Sequence, residues 1–207
     1  LDTQLYKFMK INAEYTQQFK RKNSSFVFRA FAGIGYAFNS TVNPLKKNAL
    51  PFFKQYFGGG PNSMRAWRLR RLGPGSAIKD FQEYPYRFGD IQLEMNMEYR
   101  FKVTTIAGTR IESVLFTDIG NVWFMKKEAG DPEEVFKLSR LGKDIAIGMG
   151  TGLRLDFTYF IIRLDYAYKV KDPSPDILNQ ANQNKWFYNW KPLNGQLQLG
   201  INYPFKL

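Results

Sequence analysis

The sequence predicts an all-β fold: an antiparallel transmembrane β-barrel, of which about seven strands are present, with one long loop folded inward. Three observations lead there. Alternate residues are apolar over stretches of roughly 9–14 residues, the length a tilted membrane-crossing strand needs, whereas soluble strands average about 5–6. The connections alternate strictly between short and long, as the periplasmic turns and extracellular loops of outer-membrane barrels do. Aromatic residues make up 17% of the 207, with 19 Phe, 12 Tyr and 4 Trp, a load that suits a lipid-facing wall and its interfacial girdles. The mean hydropathy of -0.40 goes with the lack of any apolar run near the roughly 20 residues of a spanning helix.

The strands follow in order. The first, near Leu5 to Phe19, is noisy, with Lys7 and Gln17 on its apolar face. After a turn at 21–25, Phe26 to Phe38 places Phe26, Phe28, Ala30, Ala32, Ile34, Tyr36 and Phe38 on one side. A long segment, 39–88, precedes the clearest strand, Ile91 to Val103. Its odd positions are all apolar, and its even positions are Gln92, Glu94, Asn96, Glu98, Arg100 and Lys102. A helix would scatter both sets around its axis. Across a turn at 104–108, Ile111 to Trp123 is mixed. A long loop (124–142) leads to Asp144–Phe157, where Gly148, Gly150, Gly152 and Arg154 oppose apolar residues. A tight turn (156–159) joins Phe160–Val170. A last long loop (171–194) precedes Gln196–Phe205, whose apolar face holds Leu197, Leu199, Ile201, Tyr203 and Phe205. On this scheme Leu207 lies on the periplasmic side. Alternation alone fits a soluble sandwich too; the ordering of the connections favours the membrane.

Composition narrows the chemistry. Cysteine and histidine are absent, which removes disulfides, the commonest metal ligand and any Ser-His-Asp arrangement. No cofactor and no enzymatic activity are expected. The net charge of +12 invites a nucleic-acid partner. However, Tyr and Phe lie on the apolar wall rather than interleaved with Lys and Arg, so the charge is read as a basic lumen and basic loops beside anionic lipid, with no nucleic acid bound.

Two motifs go further. The ending Gln198-Leu199-Gly200-Ile201-Asn202-Tyr203-Pro204-Phe205 resembles the C-terminal β-signal of outer-membrane proteins, although Lys206 and Leu207 follow the final aromatic. The loop segment from Gly58 to Gly75 contains Met64-Arg65-Ala66-Trp67 and then Arg71-Leu72-Gly73-Pro74-Gly75. It resembles the inward-folding sixth extracellular loop of the BamA/TamA superfamily of outer-membrane assembly proteins (the bacterial surface antigen family), with its Val-Arg-Gly-Phe/Tyr motif. Ala66 stands where that motif has glycine. Phe116-Thr117-Asp118-Ile119-Gly120-Asn121-Val122-Trp123 and Asn96-Met97-Glu98-Tyr99-Arg100-Phe101 resemble two strand motifs of the same family, in the same order. The expanded arginine-rich loop is most similar to the TamA-like lipoprotein branch of Bacteroidota.

The resemblance implies that residues 1–207 are the C-terminal half of a 16-stranded barrel. Upstream strands and periplasmic domains are then expected, as is a location in the bacterial outer membrane. It implies that Arg65 reaches Glu98 and Asp118 on the barrel wall and pins the loop in the lumen. The alternative is that Glu98 pairs across strands with residues such as Arg154 while Arg65 is solvated. It further implies assembly, insertion or translocation of outer-membrane proteins through a lateral seam, where an exposed edge templates an incoming strand by β-augmentation. Nascent outer-membrane proteins would be clients, in contact with lipid and lipopolysaccharide, aided by accessory periplasmic or lipoprotein subunits. The seam strand would end at Phe205, kept short and easily released by Gly200 and Pro204. A two-partner secretion translocator and a passive porin are the competing functions; an outer-membrane hydrolase lacks its histidine, and a soluble nucleic-acid binder lacks the interleaved aromatics.

Overall fold

A computed structural model describes residues 7–38, 50–125, 131–188 and 190–205. Seven strands form one antiparallel sheet in sequence order: β1 (Phe8–Lys20), β2 (Ser24–Ala37), β3 (Ile91–Ile106), β4 (Thr109–Trp123), β5 (Ala146–Asp156), β6 (Ile161–Lys171) and β7 (Gln196–Ile201). The sheet is not closed: among the described residues β1 pairs only with β2, and β7 only with β6. Short turns join β1 to β2, β3 to β4 and β5 to β6. At the opposite end run the long connections, including the one whose described part begins at Leu50. The expected start of the first strand at Leu5, the loop residues 39–49, and Lys206 and Leu207 lie outside the described residues.

Strand pairing keeps like faces together. Tyr99 stands opposite Phe26 and Leu115, and Met97 opposite Phe28 and Thr117. The resulting outer face leaves Met9, Ile11, Tyr15, Ile34, Met95, Tyr99, Leu115, Met149, Leu153, Leu164, Leu197 and Leu199 exposed. A contiguous apolar surface of this extent exceeds what a soluble monomer shows and fits a bilayer. The inner face carries the charges, and they are buried. Glu94, Glu98, Arg100, Asp118, Arg154, Arg163 and Asp165 are all at most 6% exposed, because the long loop folds over them.

Two strands depart from simple alternation. In β4 the pattern holds to Ile119, and then Gly120, Asn121, Val122 and Trp123 are all buried. Loop segments cover both faces there: Gly75 N–H donates to Val122 O, and Trp123 packs edge-on against Phe136. This is why that stretch reads as mixed. The last strand is a correction. It was expected to run to Phe205 with Tyr203 and Phe205 on the apolar face, but it ends at Ile201. Asn202 has φ 63°, a left-handed conformation asparagine tolerates, and it turns the chain off the sheet. Tyr203 then lies inside, its hydroxyl 3.3 Å from Glu112 and its ring 4.1 Å under the Arg100 guanidinium. Phe205 is 4% exposed and faces Arg29 of β2.

Candidate functional site

The site is the tip of the long loop and the wall it rests on. Gly59 and Gly60 take φ of 97° and 89°, which only glycine adopts readily. The chain doubles back, with Gly60 N–H donating to Trp67 O (2.8 Å), Trp67 N–H to Met64 O (3.0 Å) and Arg70 N–H to Gly58 O (3.0 Å). This narrow hairpin presents Met64, Arg65, Ala66 and Trp67 at its end, each at most 3% exposed. The tip packs with Leu72 against Val114, Phe116, Ala146 and Ala167 of the wall.

Arg65 sits at the centre. Its Nε and Nη2 donate to Asp118 at 2.9 and 2.7 Å, its backbone N–H donates to the same carboxylate at 3.0 Å, and Nη1 donates to Glu98. The guanidinium plane lies 3.5 Å over the Phe116 ring. Burial by itself disfavours the charged form, but the carboxylates of Asp118 and Glu98 outweigh it. The guanidinium is therefore held above the usual arginine range. Fork-shaped charge-assisted bonds of this kind fix orientation as well as energy. Glu98 also takes the Nε of Arg100 (2.7 Å) and Nη2 of Arg154 (3.4 Å). Both pairings weighed from the sequence thus occur together, and Arg65 has no solvent exposure.

Ala66, the departure from the glycine of the related motif, does not need a left-handed backbone here. Its methyl lies over Gly148 of β5, where a Cβ would stand 2.8 Å from Ala66 Cβ and 3.2 Å from the Trp67 ring. The wall lacks a side chain where the loop has gained one. The Trp67 Nε1 is buried with no hydrogen-bond partner among the described residues. Gly73 and Pro74, joined by a cis peptide, pass beside Asn121 and Val122. Arg87 ties this part together, with Nη1 donating to Gly73 O (2.7 Å) and Ser174 O (3.1 Å). Burial pushes its pKa down to about 10, against the pull of Asp172 and Asp176. Gly120 admits the backbone of β3, since a Cβ there would meet Leu93 O and Glu94. Trp123 Nε1 donates to Asp144 at 3.2 Å. Both serve the frame rather than the loop tip.

The residues of the last strand fall into two sets. Gln198 reaches the loop, its Nε2 donating to Arg65 O (3.2 Å) and Trp67 O (3.1 Å). Gly200 lies under the guanidinium of Arg163, which a Cβ would strike. Tyr203 and Phe205 lie past the strand end, against Arg100 and Arg29, and meet the loop through the wall residues those arginines bond.

Sequence reasoning missed Arg163, which holds Pro61 O and Asn62 Oδ1, both at 2.6 Å. It also missed Ser63, which bonds Glu94, and Asn96, which donates to Ser63 O (3.2 Å) and Asp118 (2.9 Å). The polar-face positions of Arg163 and Asn96 were visible, whereas Ser63 lies in the loop with no periodicity to mark it, and the partner of each is remote in the chain.

A strand-borne pair of carboxylates closing on an arginine from an inward loop offers no nucleophile and no acid–base pair facing a substrate. What it does in this structure is hold the loop to the wall. No curated protein matches the chain. The family model of the Omp85 superfamily domain matches residues 3–205, nearly the whole sequence. With the seven-stranded antiparallel sheet, the lipid-suited outer face and the seated loop, that match places the chain in the Omp85 superfamily, whose members are outer-membrane β-barrel proteins of assembly and secretion.

Proposed function

We propose that this chain is the loop-bearing part of a factor that inserts β-barrel proteins into the bacterial outer membrane, or moves proteins across it, through a lateral seam at β7. The observation that carries this reading is the contrast between the edge and the interior. β7 pairs with β6 over only 6 residues, against the roughly 9–11 a membrane strand uses, and its other edge has no strand partner among the described residues. Unpaired N–H and C=O groups on a strand edge are a template for another strand. The interior, by contrast, is fixed by the Arg65 clamp.

Open edges in hydrocarbon cost several kcal/mol for each unsatisfied group, so further strands complete the barrel, and periplasmic domains accompany it. The arginine-rich segment Arg65 to Arg71 and the Gly73-Pro74-Gly75 turn support the TamA-like lipoprotein branch within the BamA/TamA group. Clients are unfolded outer-membrane proteins. The outer face meets lipid and lipopolysaccharide, and accessory periplasmic or lipoprotein subunits deliver the client.

The test is reconstitution of the natural full-length protein in liposomes, following the appearance of protease-resistant folded client. Faster client insertion than in empty liposomes supports the proposal. No acceleration together with a large, steady conductance in planar bilayers replaces it with a passive porin. Export of a single cognate exoprotein, without insertion of barrels, replaces it with a two-partner secretion translocator.

A further inference from the structure

The clamp at Glu98 and Asp118 fastens the loop to β3 and β4. A second set of bonds fastens the same loop to the opposite side of the sheet, at the edge. The inward positions of β7 are Gln196, Gln198 and Gly200, and each is occupied by the loop or its support. Gln198 is half-buried, and its amide nitrogen donates to the carbonyls of Arg65 and Trp67, which bracket Ala66. Only a donor can satisfy both carbonyls, so the amide orientation follows from its partners. Gln196 accepts from Arg68 Nε at 3.4 Å. Gly200 has no side chain, and the Arg163 guanidinium lies in the space. From there Arg163 holds Pro61 O and Asn62 at the start of the tip and Asp165 (3.3 Å) on its own strand.

We propose that Gln198, together with Arg163 laid across Gly200, is a latch that makes seating of the loop and retention of the edge strand β7 one event. Gln198 and Arg163 are positioning residues: they act on the edge through the loop. β7 has a hydrogen-bonded neighbour on one side alone among the described residues, so the latch is its second support. A loop that leaves the wall withdraws that support, and a β7 that peels from β6 takes two bonds from the loop tip. This deepens the reading of β7 as the seam and rests on it.

The experiment is hydrogen–deuterium exchange of the full-length protein in liposomes, read separately over residues 61–72 and 196–201. Gln198→Leu keeps the bulk and removes the amide. Gln198→Asn keeps an amide one methylene short of its carbonyls and serves if the leucine variant folds poorly. The expected result is exchange faster by about tenfold in both segments, the equivalent of about 1.4 kcal/mol. Arg65→Lys, altered at the far clamp, should also accelerate exchange in β7, which it does not touch through its side chain. A change confined to one segment in the Gln198 variants, or loop exchange accelerated by Arg65→Lys with β7 unchanged, overturns the latch. Joint acceleration with client insertion at the wild-type rate upholds the latch and instead overturns the seam as the route of insertion.

Discussion

The packing of Ala66 on Gly148 gives a prediction with a magnitude. Adding a methyl by Gly148→Ala places a carbon 2.8 Å from Ala66 Cβ and 3.2 Å from the Trp67 ring, where carbon atoms prefer about 3.5–4.0 Å. The tip must retreat by about 1 Å. That retreat stretches the Arg65 bonds to Asp118, now 2.7 and 2.9 Å, to roughly 3.7–3.9 Å, outside hydrogen-bonding range. Overpacking of a filled interior costs about 1–3 kcal/mol. Expressed as a shift between seated and released loop, this is about 5- to 150-fold. The assay is limited trypsin digestion of the membrane-embedded protein at Arg68, which is exposed beside the buried Trp67. When the loop opens and closes fast relative to cleavage, the rate follows the released population. Gly148→Ala should raise cleavage by that factor. Adding Ala66→Gly should bring it most of the way back, because the two methyls compete for one space and neighbouring sites couple by about 0.5–3 kcal/mol. Unchanged cleavage in the single variant, or no recovery in the double, refutes the packing argument.

Three further outcomes follow from named contacts. Arg65→Lys keeps the charge but cannot supply Nε and Nη2 to Asp118 while also reaching Glu98; it should release the loop to trypsin, and a wild-type digestion pattern would show that charge alone suffices. Arg87→Met leaves the buried carbonyls of Gly73 and Ser174 without their donor, at about 1–3 kcal/mol. It should lower the thermal midpoint of the detergent-folded protein, whereas an unchanged midpoint would mean that water replaces the guanidinium. Asn202→Val forces a β-branched residue into φ 63° at roughly 1–2 kcal/mol, while Asn202→Gly should be neutral. Equal effects of both on thermal stability would show that the backbone angle is not what ends β7.

What the sequence disclosed and what it concealed divide along a physical line. The outer and inner faces of β3 were legible because lipid and lumen impose opposite polarity on neighbouring residues. The end of β4 was not, because Asn121 and Trp123 are covered by loops on both sides, which erases the contrast alternation depends on. The turn at Asn202 was missed because period-two patterning carries no information about a single left-handed residue. The pairing of Ala66 with Gly148 is a matter of complementary volumes between loop and wall, and that of Arg163 with Gly200 depends on a cross-strand register that the sequence does not print. A glycine on a polar face reads as a weakness in the strand until its occupant is seen.

The charges around Arg65 also bear on whether the loop can leave. Arg65, Arg100, Arg154 and Arg163 meet Glu98, Asp118 and Asp165, all at most 2% exposed. With the loop seated, this cluster has four guanidinium groups and three carboxylates. Withdrawing Arg65 leaves three of each on the wall, so departure of the loop restores balance rather than stranding a net charge. Breaking a buried ion pair by deleting one partner usually costs about 3–5 kcal/mol because the survivor is left uncompensated. Here the two partners should behave differently. Arg65→Gln leaves a balanced wall, with Asp118 still accepting from Asn96; it should unseat the loop and leave the barrel's thermal midpoint near wild type. Asp118→Asn leaves four cations against two anions while the loop is seated and three against two once it is released, so it should both unseat the loop and lower the midpoint. If Arg65→Gln proves the more destabilising to the barrel, the wall depends on the loop for its charge balance, and the loop is a permanent plug rather than a releasable one.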